Sequence, residues 1–173
     1  STGGVATNDG FDSGVRNPAA LAVGNASGFA ARIGYDPDSN NEPQAAPDSF
    51  DLYFNGLNSS YTLTQRNNDF SHTLALGVPF GKFVSVGGSY VADEGGWSSG
   101  TIGAGTLFRP LAFLSLGAVG RYNVDADAFS GEVGFGFRPF VTSDQWRSRV
   151  TLYSDVSFAE EESELARLGI ETE

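Results

Sequence analysis

The 173-residue chain contains no Cys, no Met, one Lys (Lys82) and one His (His72). It has no apolar run near the ~18–20 residues that a membrane-crossing helix needs. Each absence removes a class of function. Without Cys there is no disulfide framework, no thiol nucleophile and no thiolate metal site. A single His excludes a multi-histidine zinc centre, and no other metal or cofactor set is expected. Ten scattered Lys and Arg stand against 21 Asp and Glu, a formal net charge of −11 that repels phosphate backbones, so nucleic acid is not an expected partner. The scarcity of Lys also matters, because solvated sheet faces and edges usually recruit it.

What the chain does have is 23 Gly and 22 aromatic residues (14 Phe, 6 Tyr, 2 Trp). That aromatic content argues against disorder in spite of Gly at nearly twice the ~7% of average chains. From Phe50 onward the chain reads as short segments of period 2 punctuated by turn residues. In Leu114–Val124 one face is Leu114, Leu116, Ala118, Gly120, Tyr122 and Val124, and the other is Ser115, Gly117, Val119, Arg121 and Asn123. Phe129–Arg138 and Trp146–Phe158 repeat the alternation, with apolar residues on one parity and Gly, Ser, Thr and charge on the other. Weaker examples are Phe29–Tyr35, Phe50–Gln65 with a bulge or bend near Gly56, Phe70–Phe80, Phe83–Ala92 and Gly100–Arg109. This predicts an all-β fold, an antiparallel up-and-down meander of about eight strands with no intervening helix.

Connections predict how the meander is used. Tight turns at Pro79–Lys82 and Arg109–Leu111 alternate with more open acidic loops at Ala92–Ser99 and Asn123–Ala128. Short turns at one end and longer loops at the other are the build of a transmembrane β-barrel. Aromatics gather at strand ends (Phe80, Tyr90, Phe108, Tyr122, Phe129, Phe137, Trp146, Phe158), where girdles at the two membrane interfaces belong. On the polar parity Arg121, Glu132, Arg138, Arg147, Arg149 and Asp155 are expected to face the lumen as paired charges. The expected domains are an irregular segment 1–26, strands over 27–158, and an acidic tail or linker over 159–173, briefly helical. A start at Ser1 without Met or a basic-then-apolar leader fits a mature exported chain.

Within the irregular head, Asn8-Asp9-Gly10 is followed by Val15-Arg16-Asn17-Pro18-Ala19-Ala20-Leu21-Ala22. A hydrophobe-x-Asn-Pro-Ala-x-Leu run ahead of the first strand resembles the outer-membrane long-chain fatty-acid transporter family and its secretion-associated relatives. The resemblance covers about the first 25 residues and implies that Asn17, Pro18 and Ala19 belong to a hatch inside a barrel on a ligand path. It implies a bacterial outer-membrane location, lipid as a partner, and passive transport or binding of hydrophobic molecules, or service as the barrel subunit of an envelope assembly. About eight strands are too few for that family's barrel, and an eight-strand interior is filled by its own side chains. The expectation is therefore the N-terminal part of a longer barrel, completed by a continuation or by another chain. Two alternatives stand beside it: a secreted soluble β-sandwich for adhesion or carbohydrate binding, and the barrel portion of a protein associated with a protease resembling signal peptide peptidases.

Candidate chemistry is sparse. Asp36–Glu42 starts like a calcium loop, but the EF-hand Gly position is Asn41 and the bidentate position is Pro47, which favours a solvated loop. Asp12-Ser13-Gly14 lacks a base, since His72 lies on the apolar parity of its strand. Gly100-x-x-Gly103-x-Gly105 lacks a phosphate-loop Lys and a following helix. Glu132 and Asp155 stand among arginines, which favours ion pairing over a glycosidase pair. No enzymatic activity is expected, and no catalytic residue is assigned.

Overall fold

In a computed structural model, residues 5–6, 12–23, 27–34, 49–66, 69–92, 97, 99–139, 150–159 and 165–172 are described. They form one antiparallel sheet of ten strands in strict chain order. The strands are β1 (Gly28–Gly34), β2 (Ser49–Gly56), β3 (Ser59–Arg66), β4 (Asp69–Phe80), β5 (Val84–Ala92), β6 (Gly100–Leu111), β7 (Leu114–Asn123), β8 (Ala128–Phe137), β9 (Val150–Ala159) and β10 (Leu165–Thr172). Two short elements precede them, helix α1 (Ser13–Arg16) and a 3-10 turn at Pro18–Ala22. Among the described residues no helix is long and apolar enough to cross a membrane.

The all-β meander agrees with the sequence pattern, and the two additional strands have identifiable origins. Phe50–Gln65 is not one bulged strand. It is the β2–β3 hairpin, turned at Leu57 and Asn58 with φ of 53° and 61°. Positive φ at both central residues is the type I′ geometry whose twist matches flanking strands. Leu57 tolerates it poorly, because its Cβ crowds the carbonyl, and its side chain is 96% exposed with no packing in return. Leu57→Asn is expected to stabilise the fold by about 0.5–1 kcal/mol, read as a higher denaturant midpoint at unchanged slope. The second correction lies in the stretch expected to be an acidic, briefly helical tail: Leu165–Thr172 pairs with β9 along eight residues. Its register sets Ala166, Leu168 and Ile170 opposite Val156, Ser154 and Leu152, continuing the outer parity of β9.

Burial along the strands is inverted relative to a water-soluble sheet. On β4 the outward residues Leu74, Leu76, Val78 and Phe80 are exposed while Thr73, Ala75 and Gly77 are buried. On β5 to β9 the pattern continues, with Val86, Phe108, Leu116, Val133, Phe135, Val156 and Phe158 exposed, and Ser85, Ser115, Glu132, Thr151 and Asp155 buried. Among the described residues a buried apolar cluster is formed by Ala19, Ala20 and Leu107, and it joins the head to β6.

The sheet is bent around that head. Asp12 Oδ2 lies 3.9 Å from Arg32 Nη2 on β1, and Arg16 Nη1 lies 3.6 Å from Glu132 Oε1 on β8. In a flat sheet β1 and β8 stand seven spacings apart, about 33 Å. Asp12 and Arg16 are separated by one helical turn, about 6 Å along the axis. Strand side chains stand roughly perpendicular to the sheet and cannot lie in its plane to span that distance, so the strands wrap the head as the wall of a partial barrel. Among the described residues no ladder joins β1 to β10.

Candidate functional site

The head's local structure follows from three residues. Pro18 fixes φ at the first position of the 3-10 turn, and Asn17 caps that turn, its Oδ1 accepting from Ala19 N at 3.1 Å. The same amide donates through Nδ2 to Val5 O (3.0 Å) and to Thr106 O on β6 (3.1 Å). Asn17 is 0% exposed and ties two pieces of the head to the wall.

The wall answers with side chains from five strands. Ser85 Oγ on β5 donates to Ala19 O at 2.8 Å, and Arg121 Nη2 on β7 donates to Arg16 O at 2.6 Å. Glu132 on β8 lies between two guanidinium groups, 3.6 Å from Arg16 and 3.7 Å from Arg121. Asp155 on β9, also 0% exposed, accepts from Val5 N at 3.2 Å. Near β1, Arg32 pairs with Asp12 and stands 5.7 Å over the Tyr53 ring.

Close approach explains the inner glycines. Gly77, Gly87 and Gly105 are register partners on β4, β5 and β6, and Gly117 pairs with Gly134 on β7 and β8. A Cβ on Gly77 would stand 2.7 Å from Pro18 O and Ala22 N, and one on Gly117 would stand 2.8 Å from Val5 O. On Gly87 it would run into the Pro18–Ala19 backbone, and on Gly105 into Asn17 Oδ1. These glycines form a floor on which head backbone lies directly.

Of the residues singled out in the sequence, Asn17, Pro18 and Ala19 are buried on this floor, and Arg121, Glu132 and Asp155 meet the head from the inner face. Arg138 stands just past β8, with its backbone N–H donating to Phe113 O at 2.8 Å. Arg147, Arg149 and the Asp36–Glu42 loop lie outside the described residues. Ser13 is buried in the head, whereas His72 sits on the outer parity and accepts or donates at Nδ1 with Tyr61 Oη, 2.8 Å away. Gly100, Gly103 and Gly105 are β6 residues. Arg16, Ser85 and the glycine floor were not singled out. The alternation already placed these glycines on the polar parity, but only the register shows that three of them share one row.

No family model, no characterised protein and no solved structure matches the chain.

Proposed function

We propose that this chain forms wall strands and plug of a bacterial outer-membrane β-barrel, passing or holding hydrophobic molecules or serving as the barrel part of an envelope assembly. The observation that carries the reading is the inverted burial: a single curved sheet with apolar side chains outward and polar, charged and glycine positions inward around a packed head. In water such a face exposes far more contiguous apolar surface than a monomer tolerates, whereas in lipid it is the required surface. The soluble-sandwich reading needs a second apolar layer over Leu74, Leu76, Phe135 and Val156, and among the described residues none covers them.

The unpaired edges define what the barrel still needs. Among the described residues β1 and β10 each offer a row of backbone groups with no strand alongside, which lipid cannot satisfy. Additional antiparallel strands, from this polypeptide or another chain, are the partner that satisfies both. The role is passive, with no enzymatic step and no cofactor. The head containing Asn17, Pro18 and Ala19 is the gate, held by hydrogen bonds and ion pairs that can exchange for water one at a time.

Membrane fractionation tests this. After expression with an export signal in a Gram-negative host, the chain is expected in the outer-membrane fraction, resistant to carbonate and urea washing and released by detergent. Recovery as a detergent-free soluble monomer would overturn the reading.

A further inference from the structure

The outer face carries a row of mostly aromatic residues that the plug and wall do not explain, and on β5 to β8 it lies at the end bearing the β5–β6 and β7–β8 connections. Phe29, Phe54, Tyr61, Leu74, Tyr90, Ile102, Tyr122 and Phe129 are successive register partners from β1 to β8. Within it the rings touch as a chain: Phe29–Phe54 at 5.1 Å, Phe54–Tyr61 at 6.1 Å, Tyr61–His72 at 6.1 Å and His72–Trp97 at 6.1 Å between centroids. Trp97 also stacks on Tyr90 at 6.0 Å and 16°.

Trp97 is the odd member, because it comes from the connection between β5 and β6 and not from a strand. Its backbone is held against the wall: Tyr90 Oη donates to Trp97 O (2.9 Å) and to Ser99 O (3.2 Å). Trp97 is nevertheless 60% exposed, an unusual investment of ordering in a residue left open. The polar tips of the neighbouring rings turn to the loop side. Tyr122, two strands away from Tyr90 in the same row, donates to Asp127 Oδ1 at 2.6 Å in the β7–β8 turn, where Asp125 and Asp127 are exposed. Away from the loops the same outer face holds Leu76, Val78, Val86, Phe108 and Leu116. On β5 to β8 the row therefore marks a change from largely apolar to amphipathic to acidic along the strands, the order met on leaving hydrocarbon for water.

We infer that Trp97 seats the β5–β6 loop at the boundary between phospholipid acyl chains and headgroups, with Tyr90 and His72 as the bracket that holds the indole there. The inference rests on the membrane reading above and adds to it the level of the bilayer surface on this wall. Trp97 itself is therefore the lipid contact that this connection supplies.

Trp97 is its own probe. With Trp146→Phe as background it is the only indole, since the chain has two Trp. The full chain is reconstituted into phosphatidylcholine vesicles brominated either near the glycerol end or near the methyl end of the acyl chains, and insertion is checked by flotation and wash resistance. Bromines near the glycerol end are expected to quench Trp97 at least about twofold more than those near the methyl end. Tyr90→Phe, which keeps the ring and removes the two hydroxyl contacts, is expected to lose that difference and red-shift the emission. Equal quenching at both depths, deeper quenching, or none in vesicles that carry the protein overturns the anchor and leaves the membrane reading standing. Failure to float with the vesicles overturns both.

Discussion

Gly87→Leu is expected to unseat the head, whereas Gly88→Leu next to it is expected to be nearly silent. A Cβ at Gly87 collides with the carbonyl carbon of Pro18 and the amide nitrogen of Ala19, backbone atoms that cannot swing aside. At Gly88, on the outer face, the nearest atom is Gly103 O at 3.8 Å, an ordinary contact. Overpacking typically costs about 1–3 kcal/mol where side chains can adjust, and the upper end applies when backbone must move. The silent neighbour is expected to stay within about 0.5 kcal/mol. Two measurements separate them. The denaturant midpoint should fall only for Gly87→Leu. Trypsin should then cut after Arg16, which in the parent is held by Glu132 and by the Arg121 contact to its carbonyl. Equal behaviour of the two variants would mean that the head does not lie on this floor.

Glu132→Ala is the second large effect. The carboxylate is the shared counter-ion of Arg16 on the head and Arg121 on the wall, at 3.6 and 3.7 Å. Those separations are ion pairs without short hydrogen bonds, so the contribution is mainly Coulombic. Removing the carboxylate leaves two cations facing each other in a partly desolvated lumen, while Arg121 still reaches Arg16 O. Breaking a buried pair costs about 3–5 kcal/mol, and with Arg121 29% exposed the lower figure is appropriate. Because repulsion between the two guanidinium groups then contributes, raising salt should recover part of the loss, unlike in the parent. Glu132→Gln retains an acceptor and should fall between. A loss independent of salt would point to packing instead of charge.

Parity was legible in the sequence and register was not. Leu114–Val124 and Phe129–Arg138 alternate cleanly because one face meets the head and the other does not, and β7 and β8 adopt that alternation. The β2–β3 turn escaped notice because the turn-forming dipeptide Asn55-Gly56 ends the strand, and the turn itself falls on Leu57 and Asn58, where Leu is not a residue that signals positive φ. Strand β10 was hidden by composition: acids surround Ala166, Leu168 and Ile170, so the outer alternation reads as a tail until β9 lies alongside. The head reads as irregular in the sequence, whereas Asn17 and Pro18 set a cap and a 3-10 turn within it. Its seat depends on which glycines share a row across β4, β5 and β6, and that is a property of strand pairing which no single segment contains.

Among the described residues the strands pair with their sequence neighbours alone, but the head does not. Val5 N finds its acceptor on Asp155, 150 positions later. Closing a loop of that length costs about 4 kcal/mol of chain entropy beyond the constant term, against one strand at a time for the wall. The head leaves the ribosome before every strand it touches, and its carboxylate partner Asp155 exists only once β9 has been made. The contacts to β4, β5 and β6 become available before that to β9, so the seat of the head is finished from one side of the wall to the other, with Val5 the last piece to find its acceptor.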